Sequence, residues 1–210
     1  MKQKSMVLAA AVLLSVAGWV TAQDEPPAAS PARLFEAGDY EAVASQVKGR
    51  VEGGGAPAED LFWAGQSLRR LDRAGEAVEL FRRIGGEDDQ DPWLHVGRSA
   101  AALAEGQREQ AVQEAARAAE LAPDLFFAHY QLGLARSEMQ QWPQAATALE
   151  RATELDGSAA YAHYYAGMAY NKTRRMDRMA SHLARFLELA PNAPEREQVQ
   201  QVLRLMKGIR

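Results

Sequence analysis

Apolar and polar residues alternate along most of the chain with the spacing of amphipathic helices. Between residues 58 and 193, apolar side chains recur at intervals of three and four in paired stretches, and each pair is split by a short turn. Leu132 and Gly133 lie in the first stretch of one pair, and Ala145 and Leu149 lie in the second. Because such spacing places apolar residues on one face of a helix, the pattern predicts closely packed antiparallel helix pairs.

The pattern has a period of 34 residues. Segments 58–91, 92–125, 126–159 and 160–193 align without a gap, and a shortened unit at 31–57 precedes them. The small-residue columns are Ala77, Ala111, Ala145 and Met179, and Gly65, Ser99, Gly133 and Gly167. The apolar columns of the second helix are Phe81, Ala115, Leu149 and Leu183, and Ile84, Ala118, Ala152 and Phe186. The turn column is Asp72, Gly106, Gln140 and Arg174, with Gly38 one period upstream.

A single helix pair cannot bury both of its faces, so neighbouring units are expected to stack on one another. Residues 194–210 follow the last full unit and begin with Pro194, with Glu195 and Glu197 close behind, as in the first turn of a helix. One apolar stripe follows, made of Val199, Val202, Leu203 and Met206. The pattern therefore predicts an all-α stack that ends in one capping helix.

These columns resemble the tetratricopeptide repeat. The resemblance lies in Leu-Gly or Ala-Gly in the first helix, Ala and a large apolar residue in the second, and a closing proline at Pro123 and Pro191. It covers residues 31–193 and implies a right-handed α-solenoid of helix-turn-helix repeats. It also implies a concave groove that binds partners without performing chemistry.

The chain departs from the family pattern at two columns. The first-helix tryptophan of the family is replaced by Leu61, His95, His129 and His163. In unit 92–125, Arg98-Ser99 occupies the Leu-Gly position, whereas Val96-Gly97 lies two residues earlier. A slip of two residues would rotate that helix, so its register stays open at this point.

In the family, the second, fifth and ninth positions of each first helix line the concave groove. Here those positions are rich in aromatic and apolar residues, and a charged residue lies near each end of the row. The residues expected to contact a partner are Phe62, Trp93, Phe127, Tyr130, Tyr161, Tyr164, Met168, Arg69 and Lys172. An exposed apolar strip of this kind indicates a binding surface. The alternative is that some of these rings, Trp93 above all, close the core between adjacent units.

The expected function is a non-catalytic scaffold that holds an extended peptide or helix of a partner protein. Tyr130 and Tyr164 are the favoured contacts because each ends an Ala-His-Tyr triplet and carries a hydroxyl group. The Lys/Asn/Arg array with which some family members bind a terminal carboxylate is not reproduced. A glycan ligand stacked on the rings, or a role as regulatory accessory subunit of an envelope enzyme or assembly machine, remain alternatives.

The N-terminus has the three parts of a secretory signal peptide. Lys2 and Lys4 precede an apolar run over residues 6–20, and Val20 and Ala22 place small residues at the recognition positions before a cut. We therefore expect cleavage after Ala22, then a Pro-rich linker at 23–30, with export to the periplasm or medium. The run is short for a membrane span, so an uncleaved anchor is the less favoured alternative, and in either case the rest of the chain is exported. No later segment is apolar enough to form a span.

Composition excludes several classes of site. The chain has no cysteine, which excludes disulfides and thiolate metal sites, and its net charge of −4 argues against nucleic acid as the partner. No metalloprotease, hydrolase, phosphate-loop or dinucleotide motif is present, so we expect neither catalysis nor a cofactor.

Two groups of residues could suggest a metal. His95, His129 and His163 recur at the repeat period, but equivalent positions in stacked helix pairs are too far apart to share one zinc ion, so we expect packing roles. The acidic run at 87–91 lacks the ligand spacing of a calcium loop. Its last residue, Asp91, is instead expected to cap the helix that begins at Pro92.

Overall fold

The computed structural model describes residues 29–208, and the predicted signal peptide and most of the predicted linker lie outside this range. The described residues form eleven α-helices and no strand. The first helices are α1 Pro31–Ala37, α2 Tyr40–Glu52, α3 Ala58–Arg70, α4 Ala74–Phe81 and α5 Pro92–Ala104. The others are α6 Arg108–Leu121, α7 Phe126–Glu138, α8 Trp142–Leu155, α9 Ala160–Lys172, α10 Met176–Leu189 and α11 Arg196–Gly208. Consecutive helices pack on each other along the whole chain, which confirms the predicted all-α stack.

The predicted turn column is where the backbone reverses. Asp72, Gln140 and Arg174 have φ values of 57°, 57° and 58°, and Gly106 and Gly38 have φ values of 77° and 84°. A left-handed residue directly after a helix lets the following amide reach a carbonyl of the last turn. This occurs where the Gln141 amide donates to the carbonyl of Arg136 at 2.9 Å.

The small-residue column brings the two helices of a unit into close contact. A Cβ added to Gly65 would lie 2.3 Å from Cε1 of Phe81, and one added to Gly133 would lie 2.4 Å from Cγ of Leu149. Such separations are far below van der Waals contact, so a side chain at either position would force the helices apart.

Unit 92–125 fills the same space differently. Ser99, which replaces the glycine, is fully buried and donates from its hydroxyl to the carbonyl of Ala111 at 2.8 Å. The opposing apolar position in this unit is Ala115 instead of a phenylalanine or leucine. The larger residue on α5 is thus matched by a smaller one on α6. The helix therefore keeps the register of the other units, and the two-residue slip left open by the sequence does not occur.

Helix α4 is shorter than the sequence predicts. It ends at Phe81, whereas α6, α8 and α10 each span 14 residues. Ile84 was expected in this helix, but it lies beyond the end and is still buried, with 1% of its surface exposed. Gly85 follows with φ 79° and passes so close to α5 that an added Cβ would lie 2.2 Å from the Leu94 amide nitrogen. This close passage needs a glycine, and it diverts the chain out of the helix.

The C-terminal helix α11 packs on α10, as the predicted apolar stripe requires. Val199 is buried, and Val202, Leu203 and Met206 are partly buried against the core. Leu205 lies on the other face and is 62% exposed. The helix therefore covers the end of the stack on one face and meets solvent on the other, in agreement with a capping role.

The two ends of the stack contact each other. The rings of Phe35 in α1 and Tyr161 in α9 have centroids 5.0 Å apart. The guanidinium of Arg70, at the end of α3, lies 2.7 Å from the carboxylate of Glu195, just before α11. Units of a solenoid generally contact only their neighbours. In this chain the first helices and the last helices meet, so the inner side of the stack is closed upon itself.

Candidate functional site

The inner side of the stack contains a buried cluster of aromatic rings. Phe62 and Tyr161 are 0% and 1% exposed, and Tyr130 and Phe127 are 1% and 7% exposed. The sequence predicts that these four rings line an open groove and are exposed to solvent. The predicted exposure is wrong, because all four rings are buried. The reason is the closed stack, because the rings of the early and late units cover one another.

Helices α3 and α7 supply the centre of this cluster. The Phe62 ring lies 5.1 Å from Phe127 and 6.0 Å from Tyr130, in edge-on geometry, and Trp63 lies 5.9 Å from each of the same two rings. Edge-to-face pairs at these distances add stability beyond the burial of area. Trp63 was missed in the sequence because it follows Phe62 directly and lies outside the groove positions of the family.

A set of four hydrogen-bonded side chains joins the two ends of the stack. We call this set the end latch, and it consists of Arg70, Glu195, Tyr161 and Tyr165. Arg70 donates to Glu195 at 2.7 Å and to the Tyr165 hydroxyl at 3.1 Å, and the Tyr161 hydroxyl donates to Glu195 at 2.6 Å. Burial, and then the hydrogen bond to Glu195, raise the pKa of the Tyr161 hydroxyl above its ordinary value. The hydroxyl therefore stays protonated and remains a donor.

Three of the predicted contact residues line one open cleft, which we call the side cleft. It has a volume of about 680 Å³ and lies between the starts of α6 and α8, the end of α7 and one face of α9. Tyr164, Met168 and Lys172 form its α9 wall, and Trp142 and Arg108 lie opposite. The side cleft is thus the place where the predicted apolar row meets solvent.

The remaining predicted residues lie apart from the side cleft. Trp93 is partly buried, and its ring centroid lies 4.9 Å from that of Phe127. This agrees with the alternative that it closes the core between units. Arg69 is partly buried and donates to the side-chain carbonyl of Gln66 at 3.3 Å. Neither residue is part of the side-cleft lining.

Sequence reasoning missed Trp142, Arg108 and Tyr165 as lining residues. Trp142 and Arg108 are each the first residue of a second helix, directly after a turn, so they lie outside the first-helix positions considered for the groove. A large aromatic residue at the start of a second helix was the available signal. The equivalent residues in the other two units are Ala74 and Met176.

Charges of both signs surround the side cleft. The Lys172 ammonium lies 5.6 Å from the centroid of the Trp142 ring, which is a cation–π distance. Arg108 pairs loosely with Glu138, with its Nε 3.8 Å from the carboxylate. Over residues 29–208, no salt bridge involves Lys172. Lys172 thus lies over a ring face in a cleft that Glu109 and Glu138 also line.

The periodic histidines are anchored to nearby protein groups. The His95 Nε2 lies 2.9 Å from the carbonyl of Asp89, and the His129 Nε2 lies 2.9 Å from the carbonyl of Pro123, so each ring reaches back to the loop before its helix. His163 and His182 face each other with Nδ1 atoms 3.1 Å apart, and burial lowers the pKa of both rings. In the part of the chain that the structure describes, no three His, Asp or Glu side chains are grouped to hold a metal ion.

The acidic run before α5 has the predicted capping role. The Asp91 carboxylate accepts a hydrogen bond from the Trp93 amide at 2.9 Å, and its second oxygen accepts one from the Gly86 amide at 2.9 Å. Asp91 therefore caps α5 and also fixes the loop that precedes it.

Within residues 29–208, none of the helices has both the length and the apolar content that a membrane crossing requires.

Known proteins resemble this chain in fold, and one family model also matches part of its sequence. A model of the tetratricopeptide repeat family matches residues 127–156 and 161–193, which lie in the α7–α8 and α9–α10 pairs. A search of curated proteins gives no significant match.

Several solved structures are similar in fold. TTC0263, a thermophilic tetratricopeptide repeat protein of Thermus thermophilus, is 20% identical with a TM-score of 0.62, over 82% of this chain and 95% of that one. YrrB, described as having an unusual peptide-binding site, is 20% identical with a TM-score of 0.51, over 81% and 88%. The first repeat domain of Spaghetti (RPAP3), bound to the HSP90 peptide SRMEEVD, is 18% identical with a TM-score of 0.50, over 55% and 95%. The α7–α10 segment thus matches the tetratricopeptide repeat in sequence, and the described part of the chain has the stacked-helix fold of solved tetratricopeptide repeat proteins.

Proposed function

We propose that the protein is an exported, non-catalytic scaffold that binds an extended peptide or helix of a partner protein in the side cleft. One observation carries the proposal: Tyr164, Met168 and Lys172, all expected from the sequence to contact a partner, line the same open cleft. Peptide binding by similar folds supports it, since the Spaghetti domain is bound to an HSP90 peptide and YrrB is described by its peptide-binding site.

The cleft walls suit a peptide with both apolar and charged side chains. Tyr164, Trp142 and Met168 offer two rings and a polarisable thioether, which are typical anchors at binding surfaces. Lys172 at the rim supplies a positive charge that a carboxylate of the partner can approach. Affinity would come from the apolar wall, and the mixed charges of Arg108, Lys172, Glu109 and Glu138 would orient a partner of complementary charge pattern.

The first test is capture from an envelope extract with residues 23–210 as bait. Replacing both Tyr164 and Met168 with alanine is expected to weaken capture of the main partner by about tenfold or more, because each truncation removes an anchor from the cleft wall. Affinity of the purified partner is then measured by calorimetry. The matched control is Met176→Ala, which removes an exposed methionine that is 41% accessible and lies outside the cleft.

Equal affinity of the double variant and the control would place the binding site elsewhere. Capture of purified cell-wall fragments in place of a protein, with the same sensitivity to Tyr164→Ala, would favour the glycan alternative. A captured envelope enzyme whose rate changes on binding would favour the accessory-subunit alternative.

Export is the second part of the proposal, and it is supported by the basic, apolar and small-residue order of positions 1–22. Expression of the full chain in a bacterial host is expected to give a mature N-terminus at Gln23 in the periplasm or medium. N-terminal sequencing of the fractionated protein measures this. A chain that starts at Met1 and stays inside the cell would contradict export and leave the cleft proposal intact.

A further inference from the structure

Helix α1 inserts one aromatic side chain between two distant parts of the stack. Phe35 is 2% exposed, and its ring lies 5.3 Å from Tyr40, 5.0 Å from Trp63 in α3 and 5.0 Å from Tyr161 in α9. Only Tyr40 belongs to the same unit as Phe35. The pocket that receives the ring is therefore built mostly by α3 and α9.

The next residue, Glu36, completes the contact with α9. Its carboxylate accepts a hydrogen bond from the Ala160 amide at 3.1 Å, and its other oxygen lies 3.1 Å from Arg33. The first amides of a helix lack partners within that helix, and the residue before α9, Ala159, provides no side-chain cap. Glu36 thus supplies, from 124 residues away along the chain, the acceptor that α9 lacks.

Helix α1 is short and packs on α2 and α3. The helix has seven residues, which is too short to be stable by itself in water. Helices α3 and α9 are each held by neighbours in their own part of the stack, α3 by α2, α4 and α5, and α9 by α8 and α10. Helices α3 and α9 therefore keep packing partners of their own if α1 is released.

Space for an exchange exists beside α1. An open pocket of about 290 Å³ borders Arg33 and Glu36 and extends over Trp63, Phe127 and Ala159. This pocket reaches Trp63 of the ring pocket and the residue before α9, and the carboxylates of Glu59 and Asp156 also line it, so a second segment can approach the site while α1 is still in place.

We propose that α1 is an internal ligand, and that a partner segment with an aromatic residue followed directly by a carboxylate, as in Phe35-Glu36, takes its place between α3 and α9. This site is separate from the side cleft and does not depend on the function proposed for it. Binding there exchanges one segment for another and makes access to the site conditional on the release of α1.

The test uses a fluorescent peptide that covers residues 29–39 and the full chain in two forms. Phe35→Ala combined with Glu36→Gln vacates the pocket in the chain. Fluorescence anisotropy is expected to show at least tenfold tighter binding of the peptide to this variant than to the unmodified protein. A peptide with the Phe35→Ala change is expected to bind at least tenfold more weakly than the original peptide.

A second variant leaves every contact residue unchanged. Gly38 has φ 84°, and a Cβ added there would lie 2.7 Å from Cγ of Pro194, so Gly38→Ala should loosen the turn that holds α1. Tighter peptide binding by this variant supports the proposal. If the variants keep native helicity by circular dichroism and none binds the peptide better than the unmodified protein, the proposal is overturned.

Discussion

Replacement of Phe62 by alanine is expected to lower the free energy of unfolding by about 3–5 kcal/mol. Phe62 is fully buried and packs against rings of α3, α4 and α7. Its removal leaves a cavity that the neighbouring rings cannot fill, because each of them is held by other partners. Urea unfolding followed by circular dichroism at 222 nm measures the loss.

Tyr164→Ala is the matched control, since Tyr164 is another ring from the predicted groove row but lies partly exposed at the side cleft. It is expected to cost less than half as much as Phe62→Ala. A loss below about 1 kcal/mol for Phe62→Ala would mean that the inner side is open in solution. That result would restore the groove predicted from the sequence.

Burial also distinguishes the aromatic residues that stabilise the core from those that can contact a partner. Tyr130 was the favoured contact in the sequence together with Tyr164, yet it is 1% exposed and burial raises the pKa of its hydroxyl well above the ordinary value. A Tyr130→Ala variant would therefore lose binding through lost stability, and it would not identify a binding site. Only Tyr164 of that pair offers a clean test of recognition.

Features within one unit could be predicted from the sequence because they repeat. The turn column corresponds to the left-handed residues, and Asp91 caps α5 as expected. These features depend on residues that lie close together in the chain, so the sequence of each unit is enough to predict its own turn and helix cap. The side cleft was found only in part, since Trp142 belongs to a second helix and enters the cleft by its position at the turn.

Closure of the stack could not be predicted in the same way. The contact between Phe35 and Tyr161 depends on small rotations between units that accumulate over the whole stack. No short stretch of the sequence indicates the total rotation that accumulates between the first and last units. The four rings expected in an open groove are buried for this reason.

The end latch gives a way to test whether closure is maintained by side chains. Glu195→Ala removes the acceptor that serves both Arg70 and the Tyr161 hydroxyl. A fully buried ion pair that loses one partner costs about 3–5 kcal/mol. The Arg70 side chain keeps 32% of its exposure, so water can recover part of that loss, and we expect about 2–3 kcal/mol.

The loss should come with a change of shape, because the latch is one of the contacts that join the first and last units of the stack. We expect Glu195→Ala to have a larger radius of gyration in small-angle scattering and to bind more of a dye that reports exposed apolar surface, at unchanged helicity. Glu195→Gln keeps one acceptor oxygen for only one of the two donors and loses the charge, so its changes should lie between those of Glu195→Ala and the original chain. Glu188→Ala, which breaks an exposed pair with Arg185, should change neither shape nor dye binding. A Glu195→Ala chain with the scattering curve and unfolding free energy of the original would show that ring packing closes the stack without the latch.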